Sequence, residues 1–269
     1  MKKLIALLMT LALLVACFAG CGGKKDNNEK KETIVVGYTI YEPMNYFDED
    51  GKTLIGFDTD LAKAVFEGLG YEVMFQEIDW DSKYTDLDSG TIDCVWNGFT
   101  CNTKDDDGIA RADKVDFSYN YMENRQVIVV KKDSGITKAA DLKGKTGAAE
   151  AGSAGETYAK SFEGIIYKGC PKQTDCLNEV NAMTANFAVL DAQLAKSYCG
   201  KGNYADLQIV DDLSSDVEYY AIGFKKGSDL TAKVNGQLVA LAKNGTIKKL
   251  AEKYGVLNTT ILDYSDQVK

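Results

Sequence analysis

The sequence predicts an α/β protein made of two like lobes, with the chain crossing from the first to the second and back again. Three observations carry that expectation. Short β-branched and apolar runs alternate with helical apolar stripes through most of the chain, the pattern of sheets covered by helices. The stretch Thr184–Asp191 repeats the plan of Ser89–Val95, a helix end running into an apolar strand. And 269 residues are more than one compact layer comfortably holds, even after a leader is set aside.

Taken in order, strands are expected over 33–38, 71–75 and 92–96, then 126–130, 146–149 and 187–190, with 217–224 leading back out. Phe57, Leu61, Ala64, Val65 and Leu69 recur with the helical period and Gly70 stops the run, which predicts a helix over 57–69. Further helices are expected over 155–162, 175–183, 229–243 and 246–254, the segment 229–243 carrying Leu230, Val234, Leu238 and Leu241 on one face. Lobe 1 then consists of 33–125 with 219–269, and lobe 2 of 126–218.

Lys2 and Lys3 precede an apolar run from Leu4 to Ala16, the pattern of a secretory signal peptide and short of the roughly 20 apolar residues that cross a bilayer. Leu14-Val15-Ala16-Cys17 and Phe18-Ala19-Gly20-Cys21 both resemble a bacterial lipobox, whose cysteine is acylated and becomes the new N-terminus. Either Cys17 or Cys21 fits. The first has the better third residue back; the second leads directly into a polar tether over 22–32. The expectation is a signal peptide and lipobox over 1–21 and a lipoprotein anchored by palmitate-type acylation to the outer face of the membrane. A signal removed by the ordinary peptidase is the alternative.

Composition excludes several function classes. A net charge of −9 and a pI near 4.8 argue against a nucleic-acid surface, which needs clustered Lys and Arg. With no histidine, the commonest metal ligand and general base is missing, so neither a zinc site nor Ser-His-Asp catalysis is expected. Past the leader stand Cys94, Cys101, Cys170, Cys176 and Cys199, an odd number that leaves at least one thiol free. Cys170 and Cys176 flank a short loop with Pro171 and read either as a disulfide or as two thiols; Cys94 reads as core.

Both equivalent strands end in polar residues, Asn97 to Thr100 in the first case and Asp191 in the second. Ligands of open α/β sheets sit beyond the carboxyl ends of the strands, so two such ends facing each other make a cleft. At this point a resemblance emerges, carried by Gly56-Phe57-Asp58-Thr59-Asp60-Leu61, Asp79-Trp80-Asp81, Ser89-Gly90-Thr91-Ile92-Asp93, Val115-Asp116-Phe117-Ser118, Asp141-Leu142-Lys143-Gly144-Lys145 and Ala151-Gly152-Ser153. Each is weak alone; in this order they are specific. From about Thr33 to Tyr254 the chain resembles the extracellular solute-binding protein family, the polar amino-acid-binding components of ABC transporters.

The resemblance implies a two-lobed, type II periplasmic-binding-protein-like fold with two crossover strands, no catalysis and no cofactor. It implies a free amino acid as ligand, an ABC transporter permease as partner and a monomeric chain. An amino acid is a zwitterion, so its site needs a fixed cation, a fixed anion and further donors. Arg111 is similar to the family arginine that forks onto the ligand carboxylate, and Asp191 to the aspartate that accepts the ammonium. The Gly98 carbonyl and Thr100 hydroxyl match polar contacts from the first lobe, while Ser153 and Ala154 begin a helix whose N–H groups can meet the carboxylate. Trp80 and Tyr41 match aromatic walls. The plain structural readings are a surface arginine for Arg111, helix N-caps for Ser153 and Asp191, and core aromatics.

The chain departs from the family pattern at Asp105-Asp106-Asp107-Gly108, an acidic insert before Arg111 that reads as a solvated loop. Because the first-lobe wall is aromatic, with Glu42 its one nearby acid, a polar uncharged amino acid or cystine is the expected ligand. Two rivals share the fold: a dehydratase of small carboxylates, which needs a placed acid and base, and a sensor domain for a signalling partner.

Overall fold

The computed structural model describes residues 31–268, so the apolar run, Cys17, Cys21 and most of the tether lie outside the described residues. The chain begins with β1 (Thr33–Tyr38), then β2 (Tyr46–Phe47) and β3 (Leu54–Ile55), which form a separate two-stranded sheet, followed by α1 (Phe57–Gly68), β4 (Glu72–Glu77), α2 (Lys83–Ser89), β5 (Cys94–Val95), α3 (Arg111–Lys114) and β6 (Asp116–Phe117). β7 (Met122–Asn124) leads into β8 (Gln126–Lys131), β9 (Thr146–Glu150), α4 (Ala154–Lys160) and β10 (Ile166–Cys170). There follow α5 (Gln173–Asn181), β11 (Phe187–Asp191), α6 (Ala192–Tyr198) and β12 (Leu207–Ser214). β13 (Glu218–Tyr220) and β14 (Gly223–Phe224) return the chain to α7 (Leu230–Lys243) and α8 (Thr246–Lys253).

Two five-stranded sheets result, ordered β4-β1-β5-β14-β6 and β10-β9-β11-β8-β12. They share one plan. β1 lies parallel between β4 and β5, as β9 lies parallel between β10 and β11, and the fourth place is held by an antiparallel strand that has just left a crossover. The crossovers β7 and β13 pair with each other as a separate antiparallel ribbon. β5 and β11, equivalent by their sequence motif, both take the third position.

The helices are where the apolar period puts them. α1 buries Phe57, Leu61, Ala62, Val65 and Phe66, and α7 buries Val234, Leu238 and Leu241, while α8 adds Ile247 and Ala251 to the same core. In the second sheet Ile128, Val130, Ala149, Phe187 and Val189 gather with Leu142 into another apolar cluster. Each such side chain contributes about 1.5–3 kcal/mol on burial. Among the described residues no helix is long and apolar enough to cross a membrane.

The differences from the sequence expectations have physical causes. The single strand expected over 217–224 divides into β13 and β14, because the chain must leave the ribbon before it enters the sheet. β10 and β12 were not expected. Both are edge strands with half-exposed, polar residues, and β12 carries a pairing irregularity, so neither shows a clean alternation. Cys170 and Cys176 are both free thiols, as are Cys94, Cys101 and Cys199.

Phe187 is completely buried in the second cluster. Phe187→Ala is expected to lower unfolding free energy by about 3–5 kcal/mol, read as a lower midpoint in urea denaturation.

Candidate functional site

A small cavity lies between the two sheets, lined by Trp80, Asn97, Gly98, Thr100 and Arg111 on one side and by Glu150, Ser153, Ala154, Gln173 and Asp191 on the other. Seven of the residues expected at the site, Trp80, Gly98, Thr100, Arg111, Ser153, Ala154 and Asp191, are therefore brought together. Tyr41 is the correction: it does not line the cavity. Its ring is buried edge-on against Tyr220, with the two hydroxyls 2.8 Å apart. Gly98 covers it at φ +58, where an added Cβ would stand 2.7 Å from Tyr41 Cε1. Tyr41 is thus the floor beneath Gly98, not a wall. Glu42 is also absent from the lining.

Arg111 begins α3 and is 1% exposed. Its Nε donates to Asp105 Oδ1 at 2.7 Å, Nη1 to the Thr100 carbonyl at 3.3 Å and Nη2 to the Gly152 carbonyl at 3.1 Å, while Phe99 lies under the guanidinium at 5.3 Å. The acidic insert is accordingly more than a solvated loop. Lys104 pairs with Ala110, so the inserted residues fold out between them and do not displace Arg111. Asp105 turns inward and also accepts from Tyr84 at 2.6 Å and Lys114 at 2.8 Å. Burial alone would raise its carboxyl, but the Arg111 charge and these hydrogen bonds outweigh it and hold Asp105 down at about 2.

Asp191 ends β11, directly opposite Gln126 of β8. Although it stands at the N-cap position of α6, its side chain makes no capping bond. Oδ1 accepts from Asn124 and Gln126, both at 2.6 Å, and Oδ2 accepts from Gln173 at 2.5 Å; Gln173 also receives the Asp191 N–H. Burial raises the Asp191 carboxyl against these bonds. Glu218 of β13 joins the cluster, its Oε2 accepting from Gln126, Thr100 and Asn124 at 3.0, 3.1 and 3.3 Å. The Thr100 hydroxyl is thereby engaged within the protein. Ser153 does act as a cap, its Oγ accepting from Glu156 N at 3.1 Å.

Sequence reasoning placed Asn97 at the strand end that borders the cleft without naming it as a ligand contact, and missed Glu150 and Gln173 in the lining. Glu150 had a signal, since it closes the strand predicted over 146–149 and so stands where the strand-end rule placed Asp191. Gln173 had none. Also missed was Lys83, 1% exposed among Trp80, Tyr84 and Phe99, whose Nζ donates to the carbonyls of Trp80 at 3.1 Å and Gly152 at 3.0 Å. Burial, with the Arg111 charge, lowers its ammonium to about 7. Ion pairs Lys160–Asp106 and Lys172–Glu77 also join the residues of the two sheets. Among the described residues no group of three or more His, Cys, Asp or Glu could hold a metal ion.

Two sheets on one plan, a paired double crossover and a polar cavity between strand ends define a two-lobed solute-binding protein. More particularly, the chain belongs to the bacterial extracellular solute-binding proteins, family 3, whose pattern matches residues 34–256. It is 33% identical over 261 residues to the arginine-binding extracellular protein ArtP of Bacillus subtilis (strain 168), covering 94% of this chain and 98% of that one. It is 30% identical over 270 residues to the L-cystine-binding protein TcyA of the same organism, covering 94% and 97%. Among solved structures, an ancestral arginine-binding protein bound to arginine matches with a TM-score of 0.75 at 34% identity, over 83% of this chain and 98% of that one. A substrate binding protein of an ABC uptake transporter from Streptococcus pneumoniae, with bound histidine, matches with a TM-score of 0.73 at 34% identity, over 82% and 92%. The family and these relatives are all named as binding proteins.

The buried carboxyls set a pH dependence. Burial pushes Asp58 up to about 7, Glu150 to about 8 with the Asp191 charge adding, and Glu218 to about 7 by burial and Asp191. A raised carboxyl holds its proton in the folded chain after the unfolded chain has lost it, so stability falls as pH rises through that interval. Lys83, whose lowered value acts with the opposite sign, contributes only above about 7. The melting temperature of the ligand-free protein is therefore expected to be higher at about pH 5 than at about pH 7, measured by calorimetry at constant ionic strength.

Proposed function

We propose that this protein captures a free amino acid between its lobes and delivers it to an ABC transporter permease for uptake, acting as a monomer held to the outer face of the membrane by a lipid on Cys17 or Cys21. The lobes of this reading are 33–125 with 219–269, and 126–218, hinged on β7 and β13. One observation carries it: a guanidinium from one sheet's side and a carboxylate from the other line the same cavity, Arg111 and Asp191. A dipolar molecule placed between them meets opposite charges at opposite ends.

Each charge retains capacity for a ligand. Of five guanidinium N–H groups, Arg111 engages three, one on each nitrogen, which leaves one on each terminal nitrogen for a carboxylate. A carboxylate offers about four acceptor positions, and Asp191 fills both on Oδ1 but only one on Oδ2. The open position suits an ammonium, in a charge-assisted bond contributing about 1.5–3 kcal/mol. The main-chain N–H of Ala154 supplements Arg111, whereas that of Ser153 is donated to the Glu150 carbonyl at 3.3 Å; the Gly98 carbonyl supplements Asp191, and the Trp80 ring walls the side chain.

Because Arg111 and Asp191 belong to different lobes, a ligand makes its full set of contacts only when the lobes are closed. Its differential affinity then shifts the hinge equilibrium toward closure. Relatives named for binding arginine, cystine and histidine support an amino acid as ligand.

Titration calorimetry of the purified protein against the common amino acids and L-cystine tests this reading. Arg111→Ala and Asp191→Ala are each expected to weaken the best ligand by well over about tenfold, since each strands an unpaired ligand charge in a closed site. Unchanged affinity in Asp191→Ala would remove that residue from the site.

A further inference from the structure

The cavity holds a carboxyl that neither the protein nor the backbone of an amino acid accounts for. Glu150 closes β9, is 3% exposed and lines the cavity, yet its Oε1 has no hydrogen-bond partner and no access to water. Among the described residues it belongs to no ion pair. The nearby Lys83 ammonium is directed at the carbonyls of Trp80 and Gly152 instead.

Among the other lining residues the Trp80 Nε1 donor is likewise without a partner, while the polar side chains of Asn97, Thr100 and Gln173 are engaged. Asn97 bonds Thr39 and Asn45, Thr100 bonds Glu218, and Gln173 bonds Asp191 through both ends of its amide. The lining thus carries one cation, Arg111, and two acids, Asp191 and Glu150. The backbone of a free amino acid uses Arg111 and Asp191 and leaves Glu150 over. The same lining includes Trp80, whose indole face attracts cations. Burial without a partner for Oε1 favours the protonated carboxyl, and a ligand that brings a second positive charge to it stabilises the ionised form.

We propose that Glu150 receives a positively charged ligand side chain, with Trp80 as its wall, so that the protein selects cationic amino acids over neutral ones. This rests on the reading of the cavity as an amino-acid site. It replaces the expectation of a polar uncharged ligand or cystine, which weighed only the acids of the first-lobe wall. The acid that matters comes from the second.

The test is titration calorimetry of the purified protein with L-arginine, L-lysine, L-glutamine and L-cystine, on the wild type and on Glu150→Gln. Glutamine is the critical comparator, because its amide can bond Glu150 but brings no charge. The wild type is expected to bind L-arginine or L-lysine at least about tenfold tighter than L-glutamine, and Glu150→Gln to lose most of that preference. Equal wild-type affinities for basic and neutral amino acids, tightest binding of glutamine or cystine, or an undiminished preference in Glu150→Gln would each overturn the assignment. The wild-type ratios decide it even where the variant fails to fold. Binding of no amino acid at all would instead overturn the underlying reading, and this inference with it.

Discussion

The structure turns on one buried carboxylate held by amides. Asp191 sits where β11, β8 and the crossover ribbon converge, and its donors come from β7, β8 and α5. A buried charge without such bonds would neutralise or destabilise the fold. The same amides of Asn124 and Gln126 also bond Glu218 on β13, so both strands of the crossover ribbon are tied to the group proposed to hold the ligand's ammonium. The proposed ammonium site and the crossover ribbon therefore share one hydrogen-bond network.

Opposite this network stands a seam built on a single carbonyl. Gly152 O accepts from both Lys83 and Arg111, two cations of the first sheet's side meeting one acceptor of the second. Gly152 itself has φ +70, and a Cβ there would stand 2.9 Å from Asp81 Oδ1, so the close approach depends on glycine. Arg111 thus serves two ends at once: it bonds across the seam and keeps terminal N–H groups for a ligand. Asp105 makes this possible by fixing Nε, which is why an insert that reads as surface in the sequence functions as support.

Legibility followed the strength of the local signal. α1, α7, β1, β8 and β11 carry dense apolar periods and appear within a residue or so of their expected limits. β10 and β12 do not, because edge strands satisfy half their surface with water and need no alternation. Among the cavity residues, Ser153 stands in one of the ordered motifs and Arg111 and Asp191 were named through the family resemblance, whereas Tyr41, expected as an aromatic wall, lies beneath Gly98. Nothing local distinguishes an aromatic that walls a cavity from one that supports its floor; the difference is the φ of one glycine and a hydroxyl contact with Tyr220, far along the chain.

By itself the sequence determined the alternating architecture, the two-lobe repeat and most of the polar residues that meet in the cleft, since periodicity and strand-end position are properties of short segments. Only the tertiary structure decided which of those groups remain available. Thr100 is claimed by Glu218, Gln173 by Asp191 and Lys83 by two carbonyls, and Glu150 is left without a partner. These outcomes depend on contacts between residues far apart in the chain, where desolvation and hydrogen-bond competition act together, and no local pattern encodes them.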